Sequence, residues 1–302
     1  MAEFIIKNRF RRYILLSSCF IAIISVSFYG GYTNAGIFPF FKESPNQGEM
    51  VLIPAGAFIM GSSEEEIQGV IKEYGKRGDF VDYDFKKETP RRQMHVKAFY
   101  IDRYEVTNAQ YKRFIDATGY KPPHHWEKGV YPAGKDNHPV INVSYDDAMA
   151  YAFWAGKRLP TEEEWEKAAR GNNGQVYPWG NEFNPENVRT AEALLATYLS
   201  PRELVKYAAP VDEFKKDESP YGAYDMAGNV MEWTDSWYEK GKTRVVKGAA
   251  WVHIGPRARS ASKEGARSDE ISHLIGFRCA MNADKGIKKA EIEKQLYASI
   301  KN

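Results

Sequence analysis

The sequence predicts a loop-rich domain of mixed helices and short strands, pinned by aromatic side chains. Three observations predict it. Aromatic residues make up 14% of the chain, and its 24 glycines and 15 prolines are spread along its length. Three segments carry matched helix start and stop signals. From Gly171 to Met281, short apolar runs are separated by Gly, Pro, Asn and Asp, which is the punctuation of turns rather than of a helical bundle. At 302 residues the chain is long enough to bury a sizeable core.

The N-terminus reads as a targeting segment. Lys7, Arg9, Arg11 and Arg12 precede an uncharged run from Tyr13 to Phe41, most apolar between Tyr13 and Tyr29. A basic flank before an apolar run marks a signal peptide or signal anchor, and the flank keeps the N-terminus in the cytoplasm while the rest is exported. Residues 1–35 are therefore expected to form a signal anchor or signal peptide. "TNA" (Thr33–Ala35) offers a peptidase site, and "LSSC" (Leu16–Cys19) resembles a lipoprotein box. The apolar run continues past Cys19, which favours an uncleaved anchor. Residues 36–48, with "FPFFKESPNQG", read as a linker.

The elements follow in order. "MVLIPAGAFIMGS" (Met50–Ser62) reads as two short strands around Pro54-Ala55-Gly56. Ile67 to Pro90 is polar, a loop with a short helix. "RQMHVKAFYID" (Arg92–Asp102) alternates as a strand does. Thr107 with Gln110 forms a capping box before a helix that Gly119 ends. Ser144 caps a second helix ending at Gly156. Thr161 with Glu164 caps a third, ending at Gly171. "KGAAWVHIGPRARSAS" (Lys247–Ser262) reads as strand, tight turn and strand. Residues 284–302 form an amphipathic helix, with Ile292, Leu296 and Ile300 on one face.

Composition narrows the chemistry. Lys and Arg number 42 against 40 Asp and Glu, so no global field points to nucleic acid. The two cysteines, Cys19 and Cys279, exclude a disulfide framework and a CxxC metal knuckle. Oxygen and imidazole are the ligands that remain. Asp225 and Glu232 flank a glycine in "DMAGNVMEW", a hard-oxygen pattern suited to calcium. Arg158 and Arg278 are expected to anchor loops through carboxylates. "RARSASKEGAR" (Arg257–Arg267) reads as a basic, solvated face.

Several motifs occur in one order: "HPVINVSYDDAMAYAFWAGKRLPTEEEWEKAARG" (His138–Gly171), "YPWGN" (Tyr177–Asn181), "YGAYDMAGNVMEWT" (Tyr221–Thr234) and "GFRCA" (Gly276–Ala280). With "IPAGAFIMGS" and "EVTNAQYKRF", they resemble the formylglycine-generating enzyme family, the sulfatase-modifying factors. The resemblance covers residues 50 to 283 and implies a compact single α+β domain, here residues 49–283, with much irregular structure and a fold related to C-type lectins. It implies calcium at Asp225, Glu232 and the carbonyls of Gly228 and Val230. It implies a second calcium site at Asn187, Val188, Glu203 and Val205, with Glu203 where the family has Asp.

The resemblance also exposes a departure. Family members that make formylglycine hold copper on a cysteine pair. Here the first position falls on His253 and the second near Ala258. Imidazole and alanine do not replace two soft thiolates, so copper chemistry is not expected. The sequence predicts a membrane-anchored, extracytoplasmic binding, assembly or regulatory module. Trp251, His253, His124, His125 and Trp126 would line a groove for a protein or glycan partner. The alternative is an oxidoreductase using iron or another transition metal through His253 and a second histidine.

Overall fold

The computed structural model describes residues 49–74, 84–191 and 208–284. The chain divides by its contacts into Met1–Ser44 and Pro45–Asn302. The expected anchor, the linker, Glu203, Val205 and residues 285–302 lie outside the described residues. No helix among those described is long and apolar enough to cross a membrane.

Two strands do form around Pro54: β1 (Met50–Ile53) and β2 (Gly56–Met60). Helix α1 spans Glu64–Tyr74. The alternating stretch splits into β3 (Arg92–Val96) and β4 (Phe99–Asp102), because each serves a different sheet. β2 pairs with β3, and β1 pairs with β4. Three helices follow: α2 (Asn108–Thr118), α3 (Tyr145–Trp154) and α4 (Glu162–Arg170). All three begin with a capping box, on Thr107, Ser144 and Thr161, each worth about 1 kcal/mol. Gly119 ends α2 at φ 69°, a left-handed conformation that glycine adopts without steric cost.

The C-terminal half supplies β5 (Met231–Glu239), β6 (Thr243–Lys247), β7 (Lys263–Arg267), β8 (Ile275–Gly276) and β9 (Ala280–Asn282). The larger sheet runs β7-β6-β5-β8, with β5 and β8 parallel. β9 returns to pair with β4, completing a sheet ordered β1-β4-β9. Expectation and structure differ at residues 248–262. β6 ends at Lys247 and β7 starts only at Lys263. Between them lies a turn and a short 3-10 helix, Gly255–Ala258, with Pro256 in its first turn. Proline lacks the amide that a continued ladder needs.

Two apolar clusters form the main core. α2 and α3 set Tyr111, Phe114 and Tyr151 against Trp233, Val246 and Phe277 of the sheet side. α4 sets Trp165 against Ile53, Phe99, Ile101 and Met226. Both buried indoles have acceptors: Trp233 donates to the Val143 carbonyl at 3.0 Å, and Trp165 to Glu232 at 2.8 Å. α4 is more than a solvated acidic helix start. Its Glu166 is buried and accepts from Lys247, Arg170 and the Gly61 amide. The stretch read as a solvated basic face is also largely internal. Arg257 pairs with Glu264 and buried Arg259 with Glu88, while Arg267 alone of these is exposed, paired with Asp269.

Candidate functional site

The segment after β6 holds His253 and Ala258, the residues expected at or near the family's two cysteine positions. Asn229 accepts from the Trp251 amide at 2.9 Å, and Ala250 accepts from the His253 amide at 2.8 Å. His253 then closes the turn, its Nδ1 accepting from the Ala250 amide at 2.9 Å. Its carbonyl accepts from the Ala191 amide. A neutral imidazole has one lone pair and one N–H. The lone pair of His253 is spent on Ala250, leaving Nε2 protonated. Ligating a metal would require giving up that bond. Burial, and then Arg257 nearby, push its pKa down to about 3. Ala258 is fully buried among Tyr177, Val188 and Ala227, so its side chain offers neither a ligand nor a nucleophile.

His253 is neutral in the folded protein and ordinary in the unfolded chain. A depressed histidine pKa means the unfolded state takes up the proton first. This stability is present above about pH 6.5 and is lost as pH falls toward 3. His253→Asn, which keeps an acceptor for Ala250, is expected to reduce the loss over that range. Denaturant midpoints measured from pH 7 to 4 check this.

The remaining expected groove residues are partly drawn together. His125 Nδ1 accepts from Asn142 at 3.2 Å, and the Asn142 amide donates to Ser272. The next residue, His273, sets its ring 6.1 Å from that of Trp251. The "PPHHW" loop, the 268–275 loop and Trp251 therefore adjoin through Asn142. Two expectations need correction. Trp126 is buried against Tyr111 and Tyr131, and Trp251 is buried with Ile141, Ala208 and Val230, so both fill core rather than line an open groove. The exposed residues on these loops include His124, Val252, Ile271 and His273, with Pro122, Asp269 and Glu270 beside them. His253 makes its hydrogen bonds elsewhere, to Ala250 and Ala191. His138 accepts from Lys135, and His95 lies exposed on β3.

The two loops implied for calcium pack on each other. The Asn229 amide donates to the Arg189 carbonyl at 3.0 Å. A Cβ on Gly228 would meet Val188 at 2.5 Å and the Arg189 carbonyl at 2.6 Å, so only glycine permits this approach. Asp225 (φ 58°) and Asn187 each bury a side-chain oxygen without a hydrogen-bond partner. Both fit a cation's demand for free oxygen. The Glu232 side chain fits less well. Its Oε2 accepts from Arg278 at 2.7 Å and from Trp165, and its Oε1 accepts from Arg278 at 2.7 Å.

Two further acids, unassigned from sequence, lie here. Glu105 and Asp217 are buried, and Glu105 Oε2 and both Asp217 oxygens lack partners. Glu105 sits within "YEVTN" and marks a strand-to-helix connection. Asp217 sits in "KKDES", a run that reads as solvated and gives no sign of burial. Burial, then their mutual repulsion, raises the pKa of Glu105, Asp217 and Asp225 well above the ordinary carboxylate range. Arg278 lowers all three but is already forked onto Glu232. Among the described residues, no three His, Cys, Asp or Glu side chains converge tightly enough to cage an ion by themselves. A cation here would draw on loop carbonyls as well.

A compact α+β domain with short sheets, capped helices and long ordered loops around "GNVMEW" defines a formylglycine-generating-enzyme-type protein. The sulfatase-modifying factor enzyme 1-like domain matches residues 38–283, and the chain belongs to that family. It is 34% identical to the mouse protein named inactive C-alpha-formylglycine-generating enzyme 2, over 78% of this chain and 86% of that one. It is 32% identical to mouse formylglycine-generating enzyme, over 77% of this chain and 74% of that one. Among solved structures, PvdO from Pseudomonas aeruginosa superposes with a TM-score of 0.58 at 25% identity, over 77% of this chain and 94% of that one. Active and inactive relatives thus match almost equally, and the site has to decide between them.

Proposed function

We propose that this protein is a non-catalytic member of its family: a membrane-anchored, extracytoplasmic binding, assembly or regulatory module. One observation carries the reading. The positions where the family's copper-binding cysteines are expected hold His253, whose lone pair closes a turn, and Ala258, which is buried. A Cu(I) centre needs soft thiolates, and the one described cysteine, Cys279, is buried with its thiol pKa raised well above normal by burial and by Asp102. The curated relative named inactive supports the same direction. The surface offered to a protein or glycan partner includes the exposed His124, Val252, Ile271 and His273, of which His273 sets its ring against Trp251. Calcium at Asp225 and Asn187 would stiffen the loops behind it. The basic flank and apolar run of residues 1–35 support export and anchoring.

Elemental analysis of the purified protein tests this reading. Calcium without stoichiometric iron or copper is the expected result. Stoichiometric iron or copper that is lost in His253→Ala would overturn it and favour the oxidoreductase.

A further inference from the structure

We infer that Arg189, His138 and Lys135 form a receptor for a tetrahedral oxyanion, a phosphate or sulfate group. The inference holds whether or not the protein is catalytic. Arg189 is half-buried, and its Nε is fully buried without a hydrogen-bond partner. It enters no ion pair among the described residues. The fully buried arginines are each matched: Arg170 by Glu166, Arg257 by Glu264, Arg259 by Glu88 and Arg278 by Glu232. A guanidinium keeps its charge in a protein, and a charge taken out of water without a partner is costly. The acid that acts on Arg189 is Glu213, which is itself exposed.

His138 supplies a second unanswered donor. The Lys135 ammonium, 2.9 Å from Nε2 of His138, has only hydrogens to give, so Nε2 accepts and the ring's N–H falls on Nδ1. Nδ1 is buried and has no partner. Burial, then Lys135, hold the His138 pKa down to about 4, so the ring is neutral at pH 7. The fold brings these groups together. The Val211 amide donates to the Asn137 carbonyl at 3.0 Å. The Ala209 amide donates to Asn229 Oδ1 at 2.8 Å, and the Asn229 amide to the Arg189 carbonyl at 3.0 Å. The loop 208–213 thus ties Asn137, beside His138, to Arg189. Burial and then Arg189 lower the Lys135 pKa, and Arg189 adds to burial and Lys135 at His138, against the pull of exposed Asp136. Water would satisfy the N–H groups but would not offset the charge. A tetrahedral oxyanion does both, with more acceptor oxygens than a carboxylate and a geometry that the guanidinium fork matches.

Isothermal titration calorimetry of the full chain in zwitterionic nanodiscs, at pH 7 and constant ionic strength, tests this with inorganic sulfate and inorganic phosphate as probes. Both should bind, and acetate more weakly. Arg189→Gln should weaken sulfate binding about tenfold or more, as expected for the loss of a charge-assisted hydrogen bond. Glu213→Gln removes the competing charge and should tighten it. No binding of either ion, or binding unchanged in Arg189→Gln, would overturn the inference. Thermal melting supplies a readout that a damaged fold would not mimic. Arg189→Leu should melt higher than the parent in chloride, because an unmatched charge is gone, and should lose the rise in melting temperature that sulfate gives the parent. A lower melting temperature in chloride with the sulfate rise intact would also sink the idea. Discs holding phosphatidic acid separate the sources: sulfate binding as before assigns a soluble ligand, its loss by competition assigns a lipid headgroup, and either result supports the receptor.

Discussion

Arg278→Leu is expected to cost about 3–5 kcal/mol, the range for removing one partner of a buried ion pair. The guanidinium is fully buried and spends five hydrogen bonds: two on Glu232 and one each on the carbonyls of Asp102, Arg103 and Tyr224. Leucine would leave Glu232 ionised with no countercharge, beside Glu105, Asp217 and Asp225. Folded domains have roughly 5–15 kcal/mol in total, so the variant should lose most of its margin. Arg278→Lys keeps the charge but not the planar fork, and should fall between the two. Glu232→Leu added to Arg278→Leu should recover part of the loss, because the orphaned charge goes with it. Urea denaturation of the four proteins measures each step. An Arg278→Leu midpoint equal to the parent's would mean that the pair does not hold the loops.

The sequence made legible what is decided locally. Thr107 with Gln110 and Thr161 with Glu164 are three residues apart, and both capping boxes form. The strands flanking Pro54 form for the same reason, since the turn is written between them. What stayed hidden depends on distant partners. Glu166 sits in a run of glutamates and reads as a helix-dipole residue. Its burial comes from Lys247, 81 positions away. "RARSAS" reads as solvated, yet Arg259 is matched by Glu88, 171 positions away. For the site, the motif positions set His253 where the family's first cysteine is expected. They did not show that its lone pair is already spent, because that depends on how the turn after Ala250 closes. Trp126 illustrates the same limit. An aromatic in a proline-rich loop reads as a ligand platform, and only its packing on Tyr111 shows it to be core.

Removing calcium should lower the melting temperature, and by more at pH 8 than at pH 5. The argument starts from charge. Glu105, Asp217 and Asp225 are buried with four oxygens lacking a partner, and the Arg278 guanidinium beside them is forked onto Glu232. Without a cation, protons must neutralise them, which is why burial and mutual repulsion raise their pKa values. For a raised carboxyl pKa, the folded state binds the proton more tightly than the unfolded chain. That contribution is whole below the unfolded value of about 4 and drains away as pH rises through the folded value. In chelator, stability should therefore decline steadily above pH 4. The proposed calcium, at 100 times its dissociation constant, would add about 2.7 kcal/mol, or roughly 5–10 °C for a domain of this size, and would supply the charge that protons no longer provide. Differential scanning calorimetry with calcium and with EDTA, from pH 5 to 8, separates the two states. Asp217→Asn sharpens the test by its sign. With the proposed calcium bound it should destabilise, since one of the buried charges that would offset the ion is lost. In EDTA at pH 8 it should stabilise, since one buried repulsion is gone. Stabilisation in both buffers would show that protons, not calcium, hold these acids in the native protein.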